Sequence, residues 1–237
     1  MKTLLLVDDR RPLLATLEPI LKHWGYRVLT ATDIDQANIF LNSSAPALLL
    51  IGSKLGGEPG LKPLPPGLAV LYLEHPDAVA AKAAPEATLG VPVDIFALFA
   101  LIQSHVEKHP RRNLRLRLNI PGMYRTKGED FILAEVLSLS MEGLFFRSPL
   151  RLAKGDRISA VLPLLGHRKE LEIEGTVLYI IEPSPQNGYV QGFGLGFSPL
   201  PPQQLPLLER FLEESFLNEV AASQPGVGEF CSKQIKR

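Results

Sequence analysis

Cysteine is almost absent from this chain: of 237 residues, one is cysteine, Cys231. No intramolecular disulfide can form, which fits a reducing compartment and leads us to expect a cytoplasmic protein. An excess of one charge is absent too, with 25 basic residues against 25 acidic. Bulk attraction to nucleic acid or to an anionic membrane is therefore not expected, and any anion preference must come from local clustering. Long hydrophobic runs are missing. The first, Leu4-Leu5-Leu6-Val7, stops at Asp8-Asp9 and reads as a buried strand rather than the apolar part of a leader peptide. Nothing approaches the roughly 18 apolar residues of a membrane helix, so no membrane insertion is expected. Nucleophile–base pairs, Walker-type loops and zinc patterns are absent as well, and His23 and His167 lack partners at metal-ligand spacing. The expectation is a protein that is not an enzyme and has no metal and no cofactor.

What is present falls into two patterns. Over the first hundred residues, apolar strands alternate with helical spacings. Strands are read at Leu4–Val7, Arg27–Thr30, Leu48–Ile51 and Ala69–Leu73, with a weaker one at Ala87–Val91. Leu13, Leu14, Leu17, Ile20, Leu21 and Trp24 recur at helical spacing and Gly25 stops them. Thr32 is placed to cap a second helix running through Leu41, with Ala37, Phe40 and Leu41 on its inner face. A short alanine-rich helix follows Pro76, and an amphipathic helix spans Asp94–Glu107. This alternation predicts a doubly wound α/β domain with a parallel sheet covered on both faces. Residues 52–68 hold five glycines and four prolines with little periodicity, so one helix is shortened or missing there.

After Pro110 the period becomes two. Strands are read from Leu116, Leu118 and Ile120, then within 131–137, 143–147, 157–163, 170–181 and 189–197. Turns separate them at Lys127-Gly128-Glu129, Ala153-Lys154-Gly155-Asp156 and Pro185-Gln186-Asn187-Gly188. Short, evenly spaced strands predict a small antiparallel barrel or sandwich. A helix from about Gln203 to Val220 follows, with Pro206 in its first turn. The expected domains are residues 1–108 and 109–221, with 222–237 as a disordered tail.

The first hundred residues resemble a response-regulator receiver domain, through Leu4-Leu5-Leu6-Val7-Asp8-Asp9, Pro46-Ala47-Leu48-Leu49-Leu50-Ile51 and the strand–helix order. In that family an acidic pair at the end of the first strand holds Mg²⁺, and an aspartate at the end of the third accepts phosphate. Asp8 and Asp9 match the pair, but the acceptor position falls on Gly52. The positions of the hydroxyl and lysine that sense the phosphate fall near Leu73 and on Val91. Phosphoryl transfer to a carboxylate needs the carboxylate, a metal and a cation, and two of these are missing. The resemblance therefore implies a pseudo-receiver whose work is to dock a protein partner or to form a homodimer.

The most informative stretch runs from Arg111 to Gly143. It opens on Arg111-Arg112-Asn113-Leu114-Arg115, the densest basic cluster, which Arg117 extends. It closes on Ser138-Leu139-Ser140-Met141-Glu142-Gly143. Residues 109–220 resemble a PilZ domain, the bacterial receptor module for cyclic di-GMP. Its RxxxR pair is matched by Arg111 and Arg115, with Arg112 adjacent. Its [D/N]xSxxG turn is matched by Ser140 and Gly143, with Ser138 in place of the Asp or Asn. Gly192, Gly194, Gly196 and Phe197 resemble the late glycine-bearing strand. The resemblance implies a β-barrel of PilZ type with a C-terminal helix, binding cyclic di-GMP through Arg111, Arg112, Arg115, Ser138, Ser140 and Gly143. Guanidinium forks suit both the phosphates and the guanine O6/N7 edge, and Gly143 is expected to supply a positive φ and a close backbone approach. Phe145-Phe146 reads as half core and half surface. The implied function is a cyclic di-GMP-responsive effector in motility, adhesion or exopolysaccharide control. The alternative is a ligand-independent adaptor in which the arginines form a solvated basic edge.

Overall fold

The computed structural model describes residues 1–76, 87–164 and 169–223. The alanine-rich helix expected after Pro76, His167 and the tail from residue 224 onward lie outside them. The chain divides into two compact units, one comprising Met1–Arg112 with the segment from Leu217 onward, the other Asn113–Phe216.

The first unit is a five-stranded parallel sheet in the order β2-β1-β3-β4-β5. Its strands are β1 (Thr3–Val7), β2 (Arg27–Ala31), β3 (Leu48–Gly52), β4 (Ala69–Leu73) and β5 (Ala87–Leu89). The helices are α1 (Arg11–His23), α2 (Ile34–Ser44), α3 (Ser53–Gly56) and α4 (Ile95–Val106). This order is the flavodoxin-like doubly wound one, with its switch point between β1 and β3. Strand residues alternate between two cores. Leu4, Leu6, Leu48 and Leu50 join Leu13, Leu17 and Leu21 of α1 and Leu98 and Ile102 of α4. Leu5, Val7, Leu49 and Ile51 join Ile34, Ala37 and Leu41 of α2 and Leu55 of α3. Every residue of β3 is buried, as a central strand covered on both faces requires.

Two local features differ from the sequence reading. The cap of α2 is Asp33, whose carboxylate accepts from the Gln36 N–H at 2.9 Å, and not Thr32. Asp33 has the extended backbone that a cap needs, and its carboxylate is the stronger acceptor. Helix α3 is a single turn of four residues, and the glycine- and proline-rich chain after it is pinned by buried Asn38. The Asn38 amide donates to Gly60 O at 3.0 Å and accepts from Lys62 N at 3.1 Å.

The second unit is a closed six-stranded antiparallel barrel in the order β10-β11-β8-β7-β6-β9. Its strands are β6 (Leu116–Thr126), β7 (Ile132–Leu139), β8 (Gly143–Arg147), β9 (Arg157–Leu164), β10 (Lys169–Ile181) and β11 (Gly192–Phe197). Closure removes the edges that an open sandwich would expose. Tyr124, Phe146 and Phe193 pack ring to ring inside, at centroid distances of 5.0–5.5 Å. Burial raises the Tyr124 phenol above its usual range, and its hydroxyl is satisfied by Ser148 Oγ at 2.6 Å. Helix α5 (Leu205–Ser223) buries Leu208, Phe211, Leu212 and Phe216. It carries Ala222 and Ser223, which the sequence reading placed in the tail. Alanine favours the helix, and the Ser223 hydroxyl donates to Glu219 O at 2.8 Å. Among the described residues no helix is long and apolar enough to cross a membrane.

At one end of the parallel sheet, Tyr26 Oη donates to Glu107 Oε1 at 3.1 Å and accepts from Gln103 Nε2 at 3.0 Å. Lys2 Nζ donates to Glu107 Oε2 at 2.9 Å. Burial, reinforced by the Glu107 charge, pushes the Tyr26 phenol from 10.0 up to about 12. A raised phenol keeps its proton in the folded state while the unfolded chain ionises. Its contribution is present below pH 10 and is lost as pH rises toward 12. Unfolding titrations are expected to show wild type losing roughly 2 kcal/mol more than Tyr26→Phe across that interval.

Candidate functional site

The barrel registers align residues in rows running around it. Leu116, Leu139, Leu144, Leu195 and Val177 form one row, and all five are buried. Side chains alternate along strands, so the rows on either side face outward. One of these is Arg117–Ser138–Phe145–Gly194–Tyr179. The other contains Gly143, Gly196 and Thr176. Beside it lies Ser140, whose N–H donates to Gly143 O at 2.8 Å. The barrel thus sets Arg117 and Ser138 in one row and Gly143 in the other, with the buried Ser140 hydrogen-bonded to Gly143 and Arg115 exposed just ahead of β6. Arg111 and Arg112 end the other unit, where the Arg111 N–H donates to Gln103 Oε1 at 3.1 Å.

Arg111, Arg112, Arg115 and Arg117 are all exposed. Among the described residues, none of their guanidiniums takes part in an ion pair or side-chain hydrogen bond. Arg147, by contrast, reaches Glu135 at 3.2 Å, and Arg210 reaches Glu214 at 2.8 Å.

The serine turn is more self-contained than the sequence reading held. Ser140 is 3% exposed, and its hydroxyl donates to Gly143 O at 3.0 Å. Its proton is committed to the turn, which leaves the acceptor role. Gly143 does not have the expected positive φ. Its close backbone approach is to β11, because a Cβ there would stand 2.5 Å from Leu195 O. Glycine is required at this position by strand packing. Ser138 is half-buried and directly opposite Arg117.

An aromatic wall at the far end of the outward row was not read from the sequence. A register shift between Val177 and Tyr179 adds one residue to β10. Leu178 and Tyr179 then both lie over β11: a Cβ on Gly196 would meet Leu178, and a Cβ on Gly194 would meet the Tyr179 ring. Tyr179 is 39% exposed and stacks on Phe145 at 6.3 Å and 17°. Phe146 is core, and Phe145 faces outward but is covered. The signal available in the sequence was the period-two glycines of β11, which leave one face of that strand bare for a neighbour's side chains.

In the first unit, the acidic pair at the carboxyl end of β1 is neutralised from within. Asp8 is fully buried, and Arg10 grips both of its oxygens, with Nε to Oδ1 and NH2 to Oδ2 each at 2.7 Å. The Arg10 backbone N–H adds a third bond to Oδ1 at 2.9 Å, and NH1 donates to Glu74 O at 2.8 Å. Lys54 Nζ binds Asp9 Oδ2 at 2.6 Å and holds that carboxyl below its usual range. His75 Nε2 stands 3.4 Å from Asp9 Oδ1, which has no hydrogen bond among the described residues. The Ser53 hydroxyl accepts from His75 N at 2.9 Å. The Mg²⁺ implied by the receiver resemblance does not fit this set. Even a largely hydrated Mg²⁺ needs a carboxylate free to face it, and here Arg10 takes both Asp8 oxygens and Lys54 takes one of Asp9. Among the described residues no three His, Cys, Asp or Glu side chains cluster as a metal site would need. The sequence reading noted the pair but not Arg10, two residues downstream.

Residues 108–214 match the family model of the PilZ domain, and this part of the chain is a PilZ domain. Similar solved structures include the Bacillus subtilis inhibitor of motility MotI/DgrA, at 16% identity and a TM-score of 0.41, covering 47% of this chain and 53% of that one. The MrkH–c-di-GMP complex of K. pneumonia is similar at 19% identity and a TM-score of 0.42, covering 47% and 54%. A CheY-like receiver domain protein of Methanospirillum hungatei is similar at 21% identity and a TM-score of 0.40, covering 46% and 95%. The chain spans about half the length of the first two. A comparison with curated proteins finds no match.

Because Gly143 is held by β11, Gly143→Ala is expected to destabilise the barrel by about 1–3 kcal/mol in denaturant melts without any ligand present. A variant as stable as wild type would show that the glycine serves something other than strand packing.

Proposed function

We propose that this protein is a cyclic di-GMP-responsive signalling effector whose receiver-like domain works without phosphorylation. The observation that carries the reading is the outward pair of rows on a PilZ domain, where exposed arginines flank the serine turn and an aromatic wall closes the far end. Arg111, Arg112 and Arg115 are the phosphate and guanine ligands, and Ser138, Ser140 and Gly143 complete the set. Arg117, opposite Ser138, adds a further fork. Guanidiniums bind phosphate or the guanine O6/N7 edge through paired N–H groups and stack on bases, which an ammonium does less well. Ser138 offers one oxygen where a carboxylate would accept from two guanine N–H groups. Tyr179 lies three strand spacings from Ser138, roughly 14 Å around the barrel, within reach of a ligand carrying two purines. Binding orders residues 108–115, the segment joining the two units, and so couples the ligand to whatever the receiver-like domain docks, a partner protein or a second copy.

Absence of phosphorylation follows from chemistry. Gly52 offers no acyl acceptor, and a Cβ there would stand 2.4 Å from Asp8 Oδ2. The reading makes the protein a binding effector and not an enzyme.

Titration calorimetry of the full chain with cyclic di-GMP tests it. Wild type is expected to bind, and Arg115→Ala to weaken binding by roughly 1–3 kcal/mol, about 5- to 150-fold. Tyr179→Ala is expected to weaken it by roughly 5-fold or more while Tyr179→Phe does not. No heat from folded wild type, or unchanged affinity in Arg115→Ala, would reject the proposal. The second reading, a ligand-independent adaptor, is favoured by the serine at position 138. It would be supported by a partner that is recovered equally with and without the nucleotide.

A further inference from the structure

The carboxyl edge of the parallel sheet, at the switch between β1 and β3, is where open α/β sheets take ligands. Here that position holds a fully buried carboxylate, Asp8, with both oxygens bound by a guanidinium from its own chain at 2.7 Å. The guanidinium is held in turn by Glu74 O at 2.8 Å. The neighbouring Asp9 has its own cation, Lys54, at 2.6 Å. Gly52 completes the arrangement, because any side chain there would strike Asp8 Oδ2. A buried carboxylate must be neutralised, either by a bound ion or by a side chain.

We propose that Arg10 is the domain's built-in cation. It replaces a divalent metal ion at the Asp8–Asp9 pair, so that the crevice is closed by charge and the fold is indifferent to metal. The surroundings of Arg10 contain no competing acid nearer than this pair: its described partners are Asp8 and the Glu74 carbonyl. Asp8 is the carboxylate that Arg10 binds directly, Asp9 feeling its charge only as the least of several causes, and removing the guanidinium leaves a buried charge that an external cation can satisfy. The inference stands on the first unit alone and is independent of the ligand assigned to the barrel.

Thermal unfolding of the full chain in magnesium chloride, against sodium chloride at equal ionic strength, tests it. The wild-type midpoint is expected to be the same in both salts. Arg10→Ala is expected to lower the midpoint of the α/β unit by about 10 °C or more in sodium chloride and to regain much of the loss in magnesium chloride. The double variant Asp8→Asn with Arg10→Ala is expected to be more stable than Arg10→Ala and to ignore magnesium. A wild-type midpoint raised by magnesium would overturn the proposal, as would an Arg10→Ala chain as stable as wild type. So would a folded Arg10→Ala chain whose lowered midpoint magnesium leaves unmoved. Should Arg10→Ala fail to fold in either salt, the double variant decides. Its folding supports a neutralising role for Arg10, and its failure to fold overturns it.

Discussion

The register of β6 on β7, and of β7 on β8, is the constraint on which the candidate surface depends. Leu116, Leu139 and Leu144 share one buried row, and that burial fixes which residues face outward. Side chains alternate with a period of two, so a slip of one residue would bury Arg117 and Ser138 and expose three leucines. The apolar interior therefore positions the polar surface. Register shifts between Arg117 and Ile120, between Val136 and Ser138, and between Val177 and Tyr179 all border the outward row. Each adds a residue to one strand and re-aims the side chains beside it, as bulges do next to binding surfaces.

The two units use the same side chain in opposite ways. Arg10 turns inward onto a buried aspartate, and its five donors are largely consumed by Asp8 and Glu74. Arg115 and Arg117 turn outward, with no acid of the described chain taking them. A paired guanidinium fixes structure, whereas an exposed one beside a hydrogen-bonding turn is available to an anion. The neutral overall charge of the chain conceals both facts, since neither can be read from a sum. In the parallel sheet the acidic pair is enclosed in ion pairs of its own.

Much of the fold was legible in the sequence. The limits of β4 coincide with the apolar run at Ala69–Leu73, because that run is bounded by Gly67 and the charged Glu74. Helix α1 stops at Gly25, which adopts a φ of +87°. Strand spacing alone left the second half open between a barrel and a sandwich, and the resemblance to PilZ domains decided for the barrel that is found. That choice rests on the pairing of β6 with β9, and strand spacing says nothing about which distant strands meet. The candidate site divides in the same way. The arginines and the serine turn are contiguous motifs and could be seen directly. Tyr179 could not, because its place beside Phe145 requires the β10–β11 register and its extra residue. The positive φ expected of Gly143 was a misreading, because a glycine can answer either a positive φ or a close neighbour, and here the neighbour is Leu195 O. The grip of Arg10 on Asp8 was hidden because an arginine before a helix looks the same whether it points to solvent or folds back.

The most direct test of the central claim is a map of backbone amide shifts in the full chain as cyclic di-GMP is added. The expected result is movement concentrated in residues 111–117 and 138–143 and around Tyr179 on β10, with the amides around Asp8 and Arg10 unmoved. A nucleotide that leaves the barrel rows unshifted at saturating concentration, or shifts the β1–β3 crevice instead, would contradict the account.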